Sequence, residues 1–161
     1  MSSVNADITK IDSFEADFEQ SVMNEKQDVI RYFGHVLATK PQYALWQYSK
    51  PVEKEIYITK QNVTIIEPEI EQVIIRRIRN NFNFFKMIED AKEIKKDIYI
   101  TKIKDIEYTI KLDKNLIKSI SYKDEFENNI IISFTQQIQN SKIDTIVFTP
   151  KVPLEYDIIR D

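Results

Sequence analysis

The stretch FEADFEQSV, residues 14–22, decides the fold because apolar and polar side chains alternate along most of it. One parity, which begins with Phe14 and Ala16, is mostly apolar, and the other begins with Glu15 and Asp17. Successive side chains of a β-strand point to opposite faces of a sheet, whereas a helix repeats its apolar residues every three or four positions. The stretch therefore predicts a strand with one face in a core and the other in water.

Similar alternation recurs along the chain and predicts a meander. It is clear at residues 106–112, and less regular versions occur at about residues 29–39, 44–48, 55–59, 63–67, 72–77, 97–103, 116–122, 129–136 and 143–149. Asn and Asp tolerate tight turns, and they mark candidate turns at residues 60–62, 113–115, 124–128 and 140–142. Because short turns join antiparallel strands and parallel strands need long crossovers, we expect one antiparallel sheet.

Two segments have helical periodicity instead. Residues 4–11 carry apolar side chains at i, i+4 and i+7, which predicts a short helix ahead of the first strand. Residues 84–91 carry them at i, i+3, i+4 and i+7, which predicts a second helix with Asn80 or Asn81 as its N-cap.

The composition limits the class of protein. A chain of 161 residues has the size of one domain, so we expect residues 1–161 to form a single domain. The 23 basic and 26 acidic side chains are mixed along the chain, which gives no basic footprint for nucleic acid. Absence of Cys excludes a disulfide framework and a thiol nucleophile. Residues 1–13 lack the basic and apolar regions of a secretion signal, so we expect any signal peptide to be absent from this chain.

Patterns of catalytic residues are weak. A phosphate-binding loop needs several glycines, and this chain has only Gly34. No G-x-S-x-G motif occurs. The single histidine, His35, lies in a predicted strand and fits a structural or surface residue better than a catalytic or metal-binding one. We therefore expect no enzyme activity, no catalytic residue, no metal site and no cofactor.

Apolar residues are more abundant than a sheet with one wet face requires. Residues 73–75, 130–132 and 146–148 are apolar on both parities, although two short helices can cover only one face. Twist and core filling explain this surplus, and so does a cavity lined by apolar side chains.

The apolar residues of the predicted second helix also have two interpretations, as core or as the lining of a cavity. Its cluster of large apolar residues consists of Phe82, Phe84, Phe85, Met87 and Ile88. Such a stripe is usually ordinary core, but a helix between two halves of a meander is also placed to cover the sheet as a lid, and Phe and Met suit an adaptable apolar contact. The residues alone leave both interpretations open.

A series of short motifs resembles the family of outer-membrane lipoprotein carriers (LolA-type). The opening strand, residues 14–20, is similar to the family's F-x-A-x-F-x-Q pattern. The features that follow in the family's order are Gly34, Lys40-Pro41, Trp46, Tyr48, Pro51, Pro68, Glu71 and Gln72. The closing N-x-x-I-D…F-x-P…D pattern is matched by Asn140, Ile143, Asp144, Phe148, Pro150 and Asp157. Together these matches cover roughly residues 8–158.

The resemblance implies a fold and a function. The fold class is mainly β (α+β), an incomplete antiparallel β-barrel with a short helical lid over a hydrophobic cavity. The function is that of a periplasmic chaperone, which binds the acyl chains of lipoproteins released from the inner membrane and carries them to the outer membrane. The implied partners are acylated lipoproteins, the inner-membrane ABC transporter that releases them, and an outer-membrane receptor or the outer membrane itself. We expect a monomer.

The resemblance also implies a set of ligand-binding residues. They are Phe18, Val36, Lys40, Trp46, Phe82, Phe84, Phe85, Met87, Ile88, Phe134 and Phe148. In the family, the basic residue before Pro ties the lid to the barrel by hydrogen bonds to lid backbone, and this role falls on Lys40. Family members often have Arg there, and Lys has fewer donors, so the latch is weaker here. The alternative for Lys40 is an exposed hairpin charge of little energetic value.

The chain departs from the family pattern at two places. Ala44 and Leu45 stand where the family has an aromatic-Arg pair before its Trp, so partner contacts made there are not carried over. A hairpin before Ile106 is shortened, which leaves the strand count open. Two other classes remain alternatives: a lipid-sensing or lipoprotein-sensing interaction domain of the same fold, and an outer-membrane receptor, which needs a lipidated Cys near its N-terminus.

Overall fold

The computed structural model describes residues 8–78 and 83–160, most of which belong to one β-sheet. Its strands are β1 (Ser13–Met23), β2 (Val29–Thr39), β3 (Tyr43–Lys50), β4 (Lys54–Ile58), β5 (Asn62–Glu67), β6 (Gln72–Arg77), β7 (Lys92–Lys95), β8 (Ile98–Ile103), β9 (Ile106–Asp113), β10 (Leu116–Lys123), β11 (Asn129–Gln139) and β12 (Asp157–Arg160). The helical elements are the α-helix α1 (Phe84–Asp90) and the 3₁₀ helices Ile8–Lys10, Pro68–Ile70 and Thr145–Phe148.

The sheet is open and almost entirely antiparallel. Its strand order is β12-β6-β5-β4-β3-β2-β1-β11-β10-β9-β8-β7, so β12 and β7 form its two edges. Neighbouring strands are antiparallel, apart from β12, which pairs in parallel with β6. The expectation of an incomplete antiparallel barrel with a helix on one face is therefore confirmed, with one parallel pair at the edge.

The sheet is strongly curled. Strands β3 and β11 are three positions apart, which is roughly 14 Å in a flat sheet. The ring centroids of Trp46 on β3 and Phe134 on β11 are nevertheless only 6.5 Å apart. Large side chains from both halves of the sheet therefore converge on the concave side, which we call the inner face.

The alternation of residues 14–22 sets the two faces as predicted. Phe14, Ala16 and Phe18 are buried on the inner face, where they belong to the main core together with α1. Glu15 and Asp17 point to the outer face, where Asp17 pairs with His35 of β2. A second, smaller core lies on the outer face and consists of Leu45, Tyr57, Ile66, Val73 and Phe148.

The structure has a helical element within each of the two segments of helical periodicity. In the first segment, Ile8 and Ile11 are buried in the main core, and the described residues Ile8–Lys10 form a 3₁₀ turn. The prediction for Val4 lies outside the described residues, as do the candidate caps Asn80 and Asn81. Asn83 caps α1 instead, because its side-chain oxygen accepts a hydrogen bond from the Phe85 N–H at 2.9 Å.

The strand predicted at residues 143–149 is wrong. Asp144 ends the extended backbone, because its Oδ1 accepts a hydrogen bond from the Ile146 N–H at 3.0 Å and starts the 3₁₀ helix Thr145–Phe148. The two edge strands β7 and β12 were not predicted from sequence. Each has only four residues, all exposed, so neither has the alternation that reveals a half-buried strand.

Gly34 is required by close packing between β1, β2 and β3. A Cβ atom at this position would lie 2.0 Å from the Gln47 carbonyl oxygen and 2.8 Å from Cζ of Phe18. Phe18 is the cross-strand partner of Gly34 and covers it from β1. The missing side chain therefore lets the Phe18 ring lie against the sheet beside Trp46, at 5.1 Å between ring centroids.

We predict that Gly34→Ala lowers the free energy of unfolding by roughly 1–3 kcal/mol, because the methyl group forces backbone and ring apart. Urea unfolding followed by circular dichroism measures the change. Ser21→Ala, in the same hairpin but on the outer face, is the control and should change stability little. A Gly34→Ala protein as stable as wild type would contradict the packing role of this residue.

Candidate functional site

An apolar cavity of about 210 Å³ lies between α1 and the inner face of the sheet. One wall comes from β3 and β4, and the opposite wall comes from β9, β10 and β11. The outermost strands of the two walls, β4 and β9, are six positions apart in the strand order. The wall residues are Ala44, Trp46, Tyr48, Ile56 and Ile58 on one side and Tyr108, Ile120, Tyr122 and Ile132 on the other. Phe84, Phe85 and Met87 of α1 form the roof. The curl of the sheet and the lid together create the site.

The roof is attached to the rim of the sheet through Asn83. Besides capping α1, the Asn83 side chain donates a hydrogen bond from Nδ2 to the Pro41 carbonyl oxygen at 2.8 Å. Pro41 lies in the turn between β2 and β3, so one side chain both starts the helix and links it to the sheet. On the lower side of the roof, Phe84 packs on Phe14 with ring centroids 5.4 Å apart.

The structure brings together most of the residues that the sequence predicts for the site. Four of them line the cavity: Trp46, Phe84, Phe85 and Met87. Four more belong to the buried core that adjoins it: Phe18, Val36, Ile88 and Phe134. Phe82 lies outside the described residues. Binding of a ligand by these residues remains a prediction.

Phe148 is placed on the other side of the sheet. Its ring stacks on Tyr43 at a centroid distance of 5.5 Å and belongs to the core of the outer face. This placement follows from the 3₁₀ helix Thr145–Phe148, which packs the C-terminal segment across the outer side. The strand alternation assumed for residues 143–149 gives no information about the face on which Phe148 lies.

Lys40 lies at the rim of the sheet, next to the lid attachment. Its ammonium group pairs with Asp12 Oδ1 at 3.0 Å, and both side chains are largely exposed. In the described part of the chain, the recorded hydrogen bond between the β2–β3 turn and the lid comes from Asn83 to Pro41, the residue that follows Lys40. The latch role that the resemblance implies for Lys40 remains a prediction.

Sequence reasoning missed the polar residues of the cavity. Gln20, Tyr48, Tyr108 and Tyr122 all line it, and the Tyr48 hydroxyl donates to Gln20 Oε1 at 2.7 Å. Burial raises the pKa of Tyr48, and burial together with Tyr108 and Asp124 raises that of Tyr122 to about 12. Both phenols are therefore uncharged at neutral pH. The sequence could have indicated that Gln20 faces the cavity, because Gln20 has the same parity as Phe14, Ala16 and Phe18 of the inner row.

His35 belongs to an ion cluster on the outer face, remote from the cavity. Its Nδ1 lies 2.8 Å from Asp17 Oδ1 and its Nε2 lies 2.9 Å from Glu15 Oε1. Burial lowers the pKa of His35, but the hydrogen bonds and charges of Asp17 and Glu15 outweigh it, so the net pKa is raised. Two carboxylate partners require both ring nitrogens to donate, which is possible only for the imidazolium. The arrangement is a charged clamp between β1 and β2.

We predict that this clamp makes stability depend on pH. A pKa raised by folding stabilises the protein fully below the unfolded value of about 6.5, and the contribution disappears as pH rises through the folded pKa. The free energy of unfolding should therefore fall across this window, as measured by urea unfolding at a series of pH values. Because the chain has only one His, His35→Gln should remove this dependence. An unchanged pH profile in His35→Gln would refute the clamp.

Metal-binding clusters and membrane-spanning helices are both absent from the described residues. Within residues 8–78 and 83–160, no three His, Asp or Glu side chains are grouped to hold a metal ion. In the same part of the chain, no helix has the length and apolar character needed to cross a membrane.

The fold and the cavity define a class: open half-barrels in which a helix covers an apolar cavity on the concave face. Two solved structures share the fold. An uncharacterized conserved protein from Thermus thermophilus aligns with a TM-score of 0.58 and 10% identity over 97% of this chain and 94% of its own. A LolA superfamily protein from Nitrosomonas europaea aligns with a TM-score of 0.53 and 11% identity over 92% and 99%.

Sequence comparison identifies the family. The family model for the outer membrane lipoprotein carrier protein LolA matches residues 9–109. The outer-membrane lipoprotein carrier protein of Campylobacter jejuni is 45% identical over 92% of this chain and 86% of its own length. That of Wolinella succinogenes is 32% identical over 93% and 88%. The chain therefore belongs to the LolA family of outer-membrane lipoprotein carrier proteins.

Proposed function

We propose that this chain is a carrier that binds the acyl chains of lipoproteins in the cavity beneath α1 and delivers them to the outer membrane. The observation that carries the proposal is the apolar cavity with a helical roof, in a chain that is 45% identical to a named lipoprotein carrier. The alternative of a lipid-sensing domain is not favoured, because the relatives of high identity have the carrier name.

The energy of acyl burial explains why such a carrier is needed. Each buried methylene is worth about 0.8 kcal/mol, so roughly 15 methylenes of one chain are worth about 12 kcal/mol. Release of a lipoprotein into water is therefore prohibitively slow, and the cargo has to pass directly between binding partners. We propose that the inner-membrane ABC transporter loads the chain and that an outer-membrane receptor, or the membrane itself, accepts the cargo. The chain acts as a single-domain monomer in the periplasm and has no enzyme activity.

We propose that the lid moves when a ligand binds, because the cavity is small. A volume of about 210 Å³ lies below the roughly 300–1,000 Å³ typical of pockets for small ligands. The cavity enlarges for an acyl chain when α1 moves away from the sheet, and binding then favours the enlarged form. The Asn83 to Pro41 hydrogen bond opposes this movement and is one determinant of ligand exchange.

A matched pair of variants tests the proposed function. Ile56→Glu places a carboxylate in the cavity wall, and Ile131→Glu places the same group on the outer face, where the residue is 46% exposed. An unpaired charge in an apolar site is strongly unfavourable, so we expect Ile56→Glu to recover at least about tenfold less lipoprotein than wild type. The measurement is lipoprotein released from spheroplasts into the supernatant, supported by native mass spectrometry with a triacylated lipopeptide.

In the same assay, Ile131→Glu should behave as wild type. Failure of the wild-type chain to release lipoproteins and to form a complex with the lipopeptide would refute the carrier function. Equal activity of both variants would show that the cargo binds elsewhere.

We predict that Asn83→Asp accelerates ligand exchange without unfolding α1. The aspartate keeps the oxygen that caps the helix but has no N–H for the Pro41 carbonyl, so only the link to the sheet is lost. A neutral hydrogen bond contributes about 0.5–1.5 kcal/mol, which corresponds to roughly 2- to 10-fold faster dissociation. Stopped-flow emission of Trp46, the single tryptophan, reports ligand leaving the cavity.

Lys40→Leu is the comparison for this experiment. Its ammonium pairs with exposed Asp12, so we expect a smaller change in dissociation rate than in Asn83→Asp. A larger effect of Lys40→Leu would assign the latch to Lys40, as the resemblance implies.

A further inference from the structure

The cavity has a polar end, formed by Gln20, Tyr48, Tyr108 and Tyr122, which we call the collar. These residues come from four strands on both walls of the cavity: β1, β3, β9 and β10. Tyr108 and Tyr122 are cross-strand partners whose ring centroids are 4.8 Å apart. On the facing wall, Tyr48 packs edge-on against Tyr32 at 5.9 Å, and the Lys54 ammonium lies 4.6 Å from the centre of the Tyr48 ring.

The collar lies at the end of the cavity that is open to solvent. Along the inner face of β1, Phe14 is 1% and Phe18 is 3% exposed, but Gln20 and Val22 are only half-buried. Ile30, the partner of Val22 on β2, is 52% exposed. Along the inner row of β1, polarity and access to water therefore increase together from Phe14 towards Gln20 and the collar.

The collar presents hydrogen-bond donors rather than charges. The Tyr48 hydroxyl donates to Gln20 Oε1, so the two amide N–H groups of Gln20 are the donors that this residue can offer to a ligand. The Tyr122 hydroxyl lies on the facing wall, and its raised pKa keeps it protonated. Aromatic rings with a polar tip suit the boundary between an apolar chain and a wetter headgroup.

We propose that the collar binds the ester and amide carbonyls that join the acyl chains to the N-terminal residue of the cargo. This proposal rests on the carrier function proposed above and adds a direction to it. The methyl ends of the acyl chains point towards Phe14 and α1, whereas the protein part of the cargo leaves at the open end, near the turns at residues 24–28 and 124–128. Tyr48 is a positioning residue, because it acts by fixing Gln20.

The test is a double-mutant cycle between protein and ligand. The ligands are a triacylated lipopeptide, its analogue with ether in place of ester linkages, and an apolar fluorescent probe without carbonyl groups. The protein variants are Tyr122→Phe and the double variant Tyr48→Phe/Gln20→Leu, which removes a hydrogen-bonded pair together and leaves neither partner unsatisfied. The control is Tyr57→Phe, whose hydroxyl donates to Glu55 on the outer face.

We expect each collar variant to bind the ester lipopeptide roughly 2- to 10-fold more weakly than wild type. The apolar probe should bind all variants equally, and Tyr57→Phe should match wild type with every ligand. The change from ester to ether should weaken binding to wild type but have a smaller effect on the collar variants, because the two changes remove the same hydrogen bonds. The ligand change needs no altered protein, so it remains informative if a variant does not fold.

Equal affinity of wild type for ester and ether lipopeptides would overturn the collar while leaving the carrier function intact. Equal losses of the lipopeptide and the apolar probe in the variants would also overturn it, because the tyrosines would then only shape the cavity. Wild type that binds the probe but neither lipopeptide would refute the carrier function itself, which distinguishes the two failures.

Discussion

An open sheet with an apolar concave face must bury that face against something, and this requirement organises the molecule. The inner row of β1 places Phe14, Ala16 and Phe18 at the centre of the curl, between the two halves of the sheet. A seven-residue helix covers this region, but it is too short to cover the whole concave surface. The uncovered part becomes a cavity lined from both halves of the sheet. In the proposed carrier, folding and ligand binding depend on the same apolar surface, and a bound acyl chain completes a core that the chain leaves unfinished.

The lid is held on the sheet mainly by apolar contacts. Within residues 8–78 and 83–160, a side-chain hydrogen bond from Asn83 to Pro41 joins the start of α1 to the rim, whereas several apolar side chains hold the helix from below. In the proposed mechanism, Phe84, Phe85 and Met87 exchange apolar contact with the sheet for apolar contact with acyl chains. The similar chemistry of the two neighbours keeps the free-energy cost of this exchange small. A helix fixed to the rim by many polar bonds would lack this property.

The sequence predicts the faces of the sheet well, because parity is a purely local property. Residues 14–22 define the inner and outer rows, and the period of Phe84, Met87 and Ile88 predicts the side of the helix that faces the sheet. Phe148 could not be placed in this way, because the Asx turn at Asp144 replaces strand geometry with a 3₁₀ helix and sends the ring to the outer face. The role of Asn83 depends on contact with Pro41, 42 positions away in sequence, which no local pattern contains. Gln20 was accessible to prediction, since it breaks an apolar row at an inner position.

An open sheet also leaves two edges where backbone N–H and C=O groups can pair with another chain. Such edges favour stacking of one molecule on the next. Both edge strands are only four residues long and carry charges: Lys92, Glu93 and Lys95 on β7, and Asp157 and Arg160 on β12. If another chain added a strand to either edge, these charges would lie against a strand that has no matching charges of opposite sign. Short, charged edges therefore act against fibre formation and allow the sheet to stay unclosed.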